Sequence, residues 1–121
     1  MMKTRMAVHA DINNIVKLRM MQVNKDGALD NRDKYALKLA TVAYLNANIG
    51  NVAVTDQNGQ IISAAIAERS AHLPDMYDME TKKTEVVFAY TMPEYLGYDC
   101  TRKELKLLGC EDAAGVVFKV A

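Results

Sequence analysis

Residues 84–101 read Thr84-Glu85-Val86-Val87-Phe88-Ala89-Tyr90-Thr91-Met92-Pro93-Glu94-Tyr95-Leu96-Gly97-Tyr98-Asp99-Cys100-Thr101. The stretch 84–91 is a continuous β-prone run, broken by one charge at Glu85, of the kind that sits in the middle of a sheet. It predicts a central strand of an α/β sheet. Pro93 ends the strand because proline donates no ladder hydrogen bond. Gly97 and Asp99 have turn chemistry, and Asp99 is a natural cap for the helix that follows. That helix is expected over residues 101–114, with Leu105 and Leu108 facing inward and Gly109 as its weak point, and a last strand over residues 116–120.

Upstream, Asn58-Gly59 sits between two β-prone runs, 51–56 and 60–67. Both turn residues tolerate positive φ, so the segment predicts a tight hairpin. Residues 68–83 are polar, contain Pro74 and lack periodicity, which predicts a long surface loop. Before the hairpin, Asp30 or Asn31 can cap a helix in which Tyr35, Leu39, Val42 and Ile49 share a face, with Gly50 closing it. Residues 24–28 carry Asn, Asp and Gly and are expected to form a loop. Asp11 is expected to cap a first helix through Ile12, Ile15, Val16 and Arg19 to about Val23, after a short strand at residues 4–9. The element order is β-α-α-β-β-β-α-β, an α/β fold with a mixed sheet (α+β), in one domain over residues 1–121.

Composition narrows the function. A chain of 121 residues supports one core and not two. Fifteen basic side chains balance fifteen acidic ones, and the densest basic run is Lys82-Lys83. That pattern excludes the basic stripe of a nucleic-acid or anionic-membrane binder. Two cysteines are too few for a disulfide framework, and His9 and His72 stand in no ligand spacing, so no metal is expected. Residues 1–10 hold no apolar signal region, and no stretch approaches the ~18 apolar residues of a membrane span. The expected location is the cytoplasm.

Three local patterns carry a family resemblance. Arg5-Met6-Ala7 precedes Asp11-Ile12, Ile15 and Leu18-Arg19; Val52-Ala53-Val54 precedes Asn58-Gly59-Gln60-Ile61-Ile62; and Tyr90-Thr91-Met92-Pro93-Glu94-Tyr95 follows. In this order they resemble the first five strands of the GNAT superfamily of acetyl-CoA-dependent N-acetyltransferases. The resemblance implies acetyl transfer to an amine, on a small molecule or a peptide, with acetyl-CoA as co-substrate. It implies that Ala89, Tyr90 and Thr91 pair with the pantetheine arm. Gly97, Tyr98, Asp99, Cys100 and Thr101 would face the pyrophosphate, where a glycine-rich turn opens a helix. Glu85 becomes the candidate proton acceptor, and Tyr90, with Tyr95 and Tyr98 near it, the candidate donor to the departing thiolate.

The turn departs from the family's Arg/Gln-x-x-Gly-x-Gly/Ala pattern. Leu96 stands at the basic position, Asp99 at the first glycine and Thr101 at the final small residue. A carboxylate at Asp99 would repel phosphate by several kcal/mol at ~4 Å in a partly buried site. It would also oppose thiolate formation at Cys100. The family continues into a further helix and two strands where this sequence ends at Ala121. A non-catalytic, degenerate GNAT-like binding or dimerisation module is therefore an alternative, with a homodimer through the open edge of residues 116–120. A PAS-like or roadblock-like sensor or scaffold, suggested by the hairpin at residues 52–67, is a third.

Overall fold

The computed structural model describes residues 2–26, 30–71, 82–110 and 117–118. Five strands, β1 (Met2–Met6), β2 (Val52–Gln57), β3 (Gln60–Ala71), β4 (Lys82–Thr91) and β5 (Val117–Phe118), form one sheet in chain order. All pairs are antiparallel except β4 with β5, which is parallel. Helices α1 (Ile12–Asp26) and α2 (Asn31–Asn48) cover one face, and α3 (Cys100–Leu107) covers the other. The expected element order and mixed sheet are found.

Alternation along the strands divides the core in two. Val52, Val54, Ala64, Ile66 and Phe88 pack with Ile15, Val16 and Leu18 of α1 and Leu45 of α2. Ala53, Ala65, Ala67 and Val86 pack under Leu105 and Leu108. Three alanines on that side leave room for α3 to lie close to the sheet. The β2–β3 turn places Asn58 at φ 52° and Gly59 at φ 91°, as a two-residue hairpin requires. The Asp56 carboxylate accepts the Gly59 N–H at 2.6 Å.

The β3–β4 ladder slips by one residue. Ile66 faces Phe88 while Ala67 faces Val86, so Val87 is an extra residue in β4. This bulge puts Val87 and Phe88, consecutive in sequence, on the same α1/α2 face.

Several boundaries differ from expectation. The first strand is Met2–Met6, not residues 4–9, because His9–Asp11 forms a 3-10 turn. Asp11 reaches backward rather than capping α1: it accepts Arg5 Nη1 at 2.8 Å, Arg5 Nη2 at 3.1 Å and the Val8 N–H at 2.8 Å. Those donors hold its carboxyl below the usual carboxylate range. Asp30 does cap α2, accepting the Asp33 N–H at 2.8 Å. Tyr35 and Leu39, however, are exposed. The expected Val42 and Ile49 do pack against the core, together with Tyr44 and the buried Leu45. Gly50 keeps a negative φ, and the chain leaves α2 through a 3-10 turn at Ile49–Asn51.

The expected loop at residues 68–83 is shorter at both ends, since the ladder continues to Ala71 opposite Lys82; residues 72–81 lie outside the described residues. Helix α3 stops at Leu107 rather than 114. Gly109 takes φ 82°, and the Cys110 N–H donates to the Leu105 carbonyl at 2.8 Å, a left-handed closure that glycine adopts without strain. The last strand is found at Val117–Phe118, and the rest of 116–120 lies outside the described residues.

One polar chain crosses the α3 side of the sheet. Glu104 is wholly buried. Thr55 Oγ1 donates to its Oε2 at 2.6 Å and Ser63 Oγ to its Oε1 at 3.0 Å. Ser63 and Thr91 share a bond of 2.8 Å, Thr91 and Thr101 one of 3.2 Å, and Thr4 and Thr55 one of 3.1 Å. The helix is thereby tied to β2, β3 and β4 at its first two turns.

Burial pushes the Glu104 carboxyl from its ordinary 4.5 to about 8, against the pull of the Thr55 and Ser63 hydroxyls. Between those pH values the folded chain keeps a proton that the unfolded chain has released. Its contribution to stability is therefore full below 4.5 and lost as pH rises through about 8, at a slope of at most about 1.4 kcal/mol per pH unit. We expect the urea midpoint of the wild-type chain to fall between pH 5 and 9, and that of Glu104→Gln to stay nearly level. Parallel profiles for the two would remove Glu104 as the source.

Candidate active site

Two clefts flank β4, one on each face. The first, about 550 Å³, lies at the start of α3 and is lined by Thr91, Leu96, Asp99, Cys100, Thr101, Arg102 and Leu105. The second, about 360 Å³, lies under α1 and α2, with Arg19, Tyr44, Glu68, Val87 and Phe88 among its walls.

The first cleft is built by the segment after β4. Pro93 starts a 3-10 segment, Pro93–Tyr98, using the φ that proline already has. Asp99 then adopts φ 55° and ψ 32°, the left-handed conformation that glycine occupies freely and aspartate tolerates better than most residues. The glycine missing from the motif thus maps onto the one position of this turn that needs a glycine-like backbone. Asp99 occupies the N-cap position, but its side chain makes no capping bond, contrary to expectation. The first N–H groups of a helix have no partner within it, and Asp99 offers those of α3 no side-chain acceptor. Arg102, also on the first turn, is a basic residue in the cleft lining, where Leu96 stands at the motif's basic position.

Backbone geometry of β4 adds a second element. The Met92 N–H donates to the Ile62 carbonyl at 2.9 Å, and bonded residues alternate along an antiparallel ladder. Tyr90 and Phe88 therefore face β3, while the N–H and C=O groups of Ala89 and Thr91 face the opposite edge. β5 pairs with β4 only at Glu85 and Val86. Among the described residues, no strand covers the edge at Ala89 and Thr91, and this open edge runs directly into the first cleft.

The structure thus brings Ala89, Thr91, Asp99, Cys100 and Thr101 together. Gly97 and Tyr98 are exposed outside the cleft lining, with the Tyr98 ring 6.1 Å from that of Tyr95. Tyr90 packs into the α1/α2 core, on the face opposite the Thr91 side chain. Glu85 is half-buried and sits across the ladder from Glu68. The Cys100 thiol is buried and pushed upward by desolvation and by Glu104, which keeps it from acting as a thiolate.

Sequence reasoning missed Glu104, Arg102, Glu68 and Tyr44. Glu104 had a signal: Cys100, Glu104, Leu105 and Leu108 follow the spacing of a single inward helical face. Among the described residues no three His, Cys, Asp or Glu side chains gather as a metal site, and no helix is long and apolar enough to cross a membrane.

No protein-family model and no curated protein matches the sequence. Solved structures do match. A predicted acetyltransferase of Clostridium acetobutylicum, solved with acetyl-CoA, aligns at a TM-score of 0.74 and 21% identity, over 100% of this chain and 82% of its own. A GCN5-related N-acetyltransferase of Ralstonia eutropha JMP134 aligns at 0.75 and 13%, over 99% and 84%. An aminoglycoside N-acetyltransferase solved with CoA aligns at 0.71 and 11%, over 100% and 78%. Identities this low carry architecture alone. With its in-order sheet, its bulged β4 and its single parallel pair at β4 and β5, the chain has the fold of the GCN5-related N-acetyltransferases.

Proposed function

We propose that the chain is a cytoplasmic N-acetyltransferase of the GNAT type, moving acetyl from acetyl-CoA to an amine. The observation that carries this is the open edge of β4 at Ala89 and Thr91, which leads into the uncapped start of α3. The structural neighbours solved with acetyl-CoA or CoA support it.

The groups present fit the co-substrate in most respects. An extended amide-bearing arm would find the Ala89 and Thr91 backbone groups. Its pyrophosphate would find the N–H groups of α3, the Thr101 hydroxyl and the Arg102 guanidinium, all of which favour an anion. Asp99 opposes that anion with its charge while keeping the backbone turn.

In transfer, the amine nitrogen attacks the thioester carbonyl carbon, the carbon–sulfur bond breaks, and sulfur leaves as a thiolate. The amine proton passes to a carboxylate on the α1/α2 face, where Glu85 stands beside Glu68 across the ladder. Tyr90 is the proposed donor to the thiolate. On this reading Glu85→Gln and Tyr90→Phe each lower kcat at least tenfold with little change in acetyl-CoA affinity; unchanged kcat acquits the residue concerned.

The turn makes a sharper test. By calorimetry, acetyl-CoA is expected to bind the wild-type chain weakly, Asp99→Gly at least tenfold more tightly, and Arg102→Ala at least tenfold more weakly. A tenfold change corresponds to about 1.4 kcal/mol. Should neither the wild type nor Asp99→Gly bind at millimolar concentration, the enzyme proposal fails and a non-catalytic module takes its place.

A homodimer through β5 is the finer reading of assembly. Among the described residues β5 ends the sheet, and an edge strand invites pairing. Sedimentation velocity at high micromolar concentration should show the dimer; a monomer throughout excludes it.

A further inference from the structure

Resting on the acetyltransferase reading, we infer that the cavity under α1 and α2 is the acceptor site and that its substrate is a free α-amino acid with an apolar side chain. Two opposite charges line this cavity. The Glu68 carboxylate is fixed by the Tyr44 hydroxyl, which donates to its Oε2 at 2.5 Å. The Arg19 guanidinium is fixed twice: Nη1 donates to Gln22 Oε1 at 2.8 Å, and its carbon lies 5.7 Å from the centre of the Phe88 ring.

Neither charge neutralises the other. Arg19 and Glu68, both described, form no ion pair with each other. The wall around them is apolar, through Ile15, Ile66, Val87 and Phe88. An apolar cavity holding two separated, unlike, pre-oriented charges is complementary to a ligand carrying both charges on an apolar body. An ammonium would meet Glu68. A carboxylate would meet the guanidinium, which has five N–H donors and spends one on Gln22.

The volume, about 360 Å³, is at the small end of ligand pockets and suits a single amino acid. Val87, the bulge residue, lines the same cavity, so the ammonium end lies against the strand whose open edge serves the acetyl donor. Burial and the neighbouring Glu68 push the Tyr44 phenol upward, so it stays a donor across the working pH range. Tyr44 and Arg19 act here as positioning and specificity residues, and Glu68 as the group that receives the ammonium.

The test compares ligands first, so that it does not depend on a variant that fails to fold. Binding of L-leucine, isoamylamine, leucine methyl ester and the dipeptide Leu-Gly to the wild-type chain is measured by calorimetry without acetyl-CoA. Acetylated product is then measured by mass spectrometry with it. L-leucine is expected to bind at least tenfold more tightly than the three analogues that lack or displace its carboxylate. Arg19→Met should abolish that preference by bringing L-leucine down to the level of isoamylamine, and Glu68→Gln should weaken L-leucine and isoamylamine alike. Equal binding of the analogues by the wild type, or a preference for the dipeptide, overturns the proposal. If L-leucine binds and acetyl-CoA does not, the pocket assignment stands and the acetyltransferase reading falls. If acetyl-CoA binds and L-leucine does not, the reverse holds.

Discussion

Among the described residues, the backbone of β4 is paired on both sides at Glu85 and Val86 and on one side at Ala89 and Thr91. The two clefts that flank β4 are arranged around that change. A fully paired strand would leave no polar backbone for a ligand, and a strand open along its whole length would be an aggregation edge. The short β5 covers the first half, and the second half is left to face the start of α3. The bulge at Val87 falls between the two halves and turns two successive side chains toward the α1/α2 cavity.

Helix α3 has to be held firmly for this to work, because its first turn forms one wall of the cleft. Glu104 supplies the hold through hydroxyls from β2 and β3, extended by Thr91 and Thr101 to the lip of the cleft. A buried carboxyl is costly when ionised, and the Thr55 and Ser63 hydroxyls that donate to its two oxygens offset part of that cost. The alanines beneath α3 bring the helix close enough to make these bonds.

Much of this architecture was legible from residue patterns. Asn58-Gly59 marked the hairpin because its backbone demand is local, and the run 84–91 marked β4 because burial on both faces suppresses polar alternation. Asp30 marked the start of α2 for the same local reason. Tyr35 and Leu39 misled because α2 keeps only the later part of that face, Val42 and Ile49, on the core, which depends on where α1 and the sheet lie. Asp11 misled because its best donor, Arg5, reaches it across a chain reversal rather than from the helix ahead. The ends of β3 and β4 extended into polar sequence because cross-strand pairing is tertiary and leaves no trace in composition. Thr91, Asp99, Cys100 and Thr101, which line the first cleft, stand close together in sequence. Glu68, Tyr44 and Arg19 come from three different elements, and only folding brings them together.

The left-handed backbone at Asp99 has a genetic side. Few residues hold such a conformation without strain: glycine, asparagine and aspartate. The three are joined by single-base codon changes, with aspartate one step from each of the others. A lineage carrying this turn can therefore move among a negative, a neutral and a bare side chain at the mouth of the cleft without rebuilding the fold. The charge presented to an incoming anion is, in that sense, an inherited setting that one mutation can reverse.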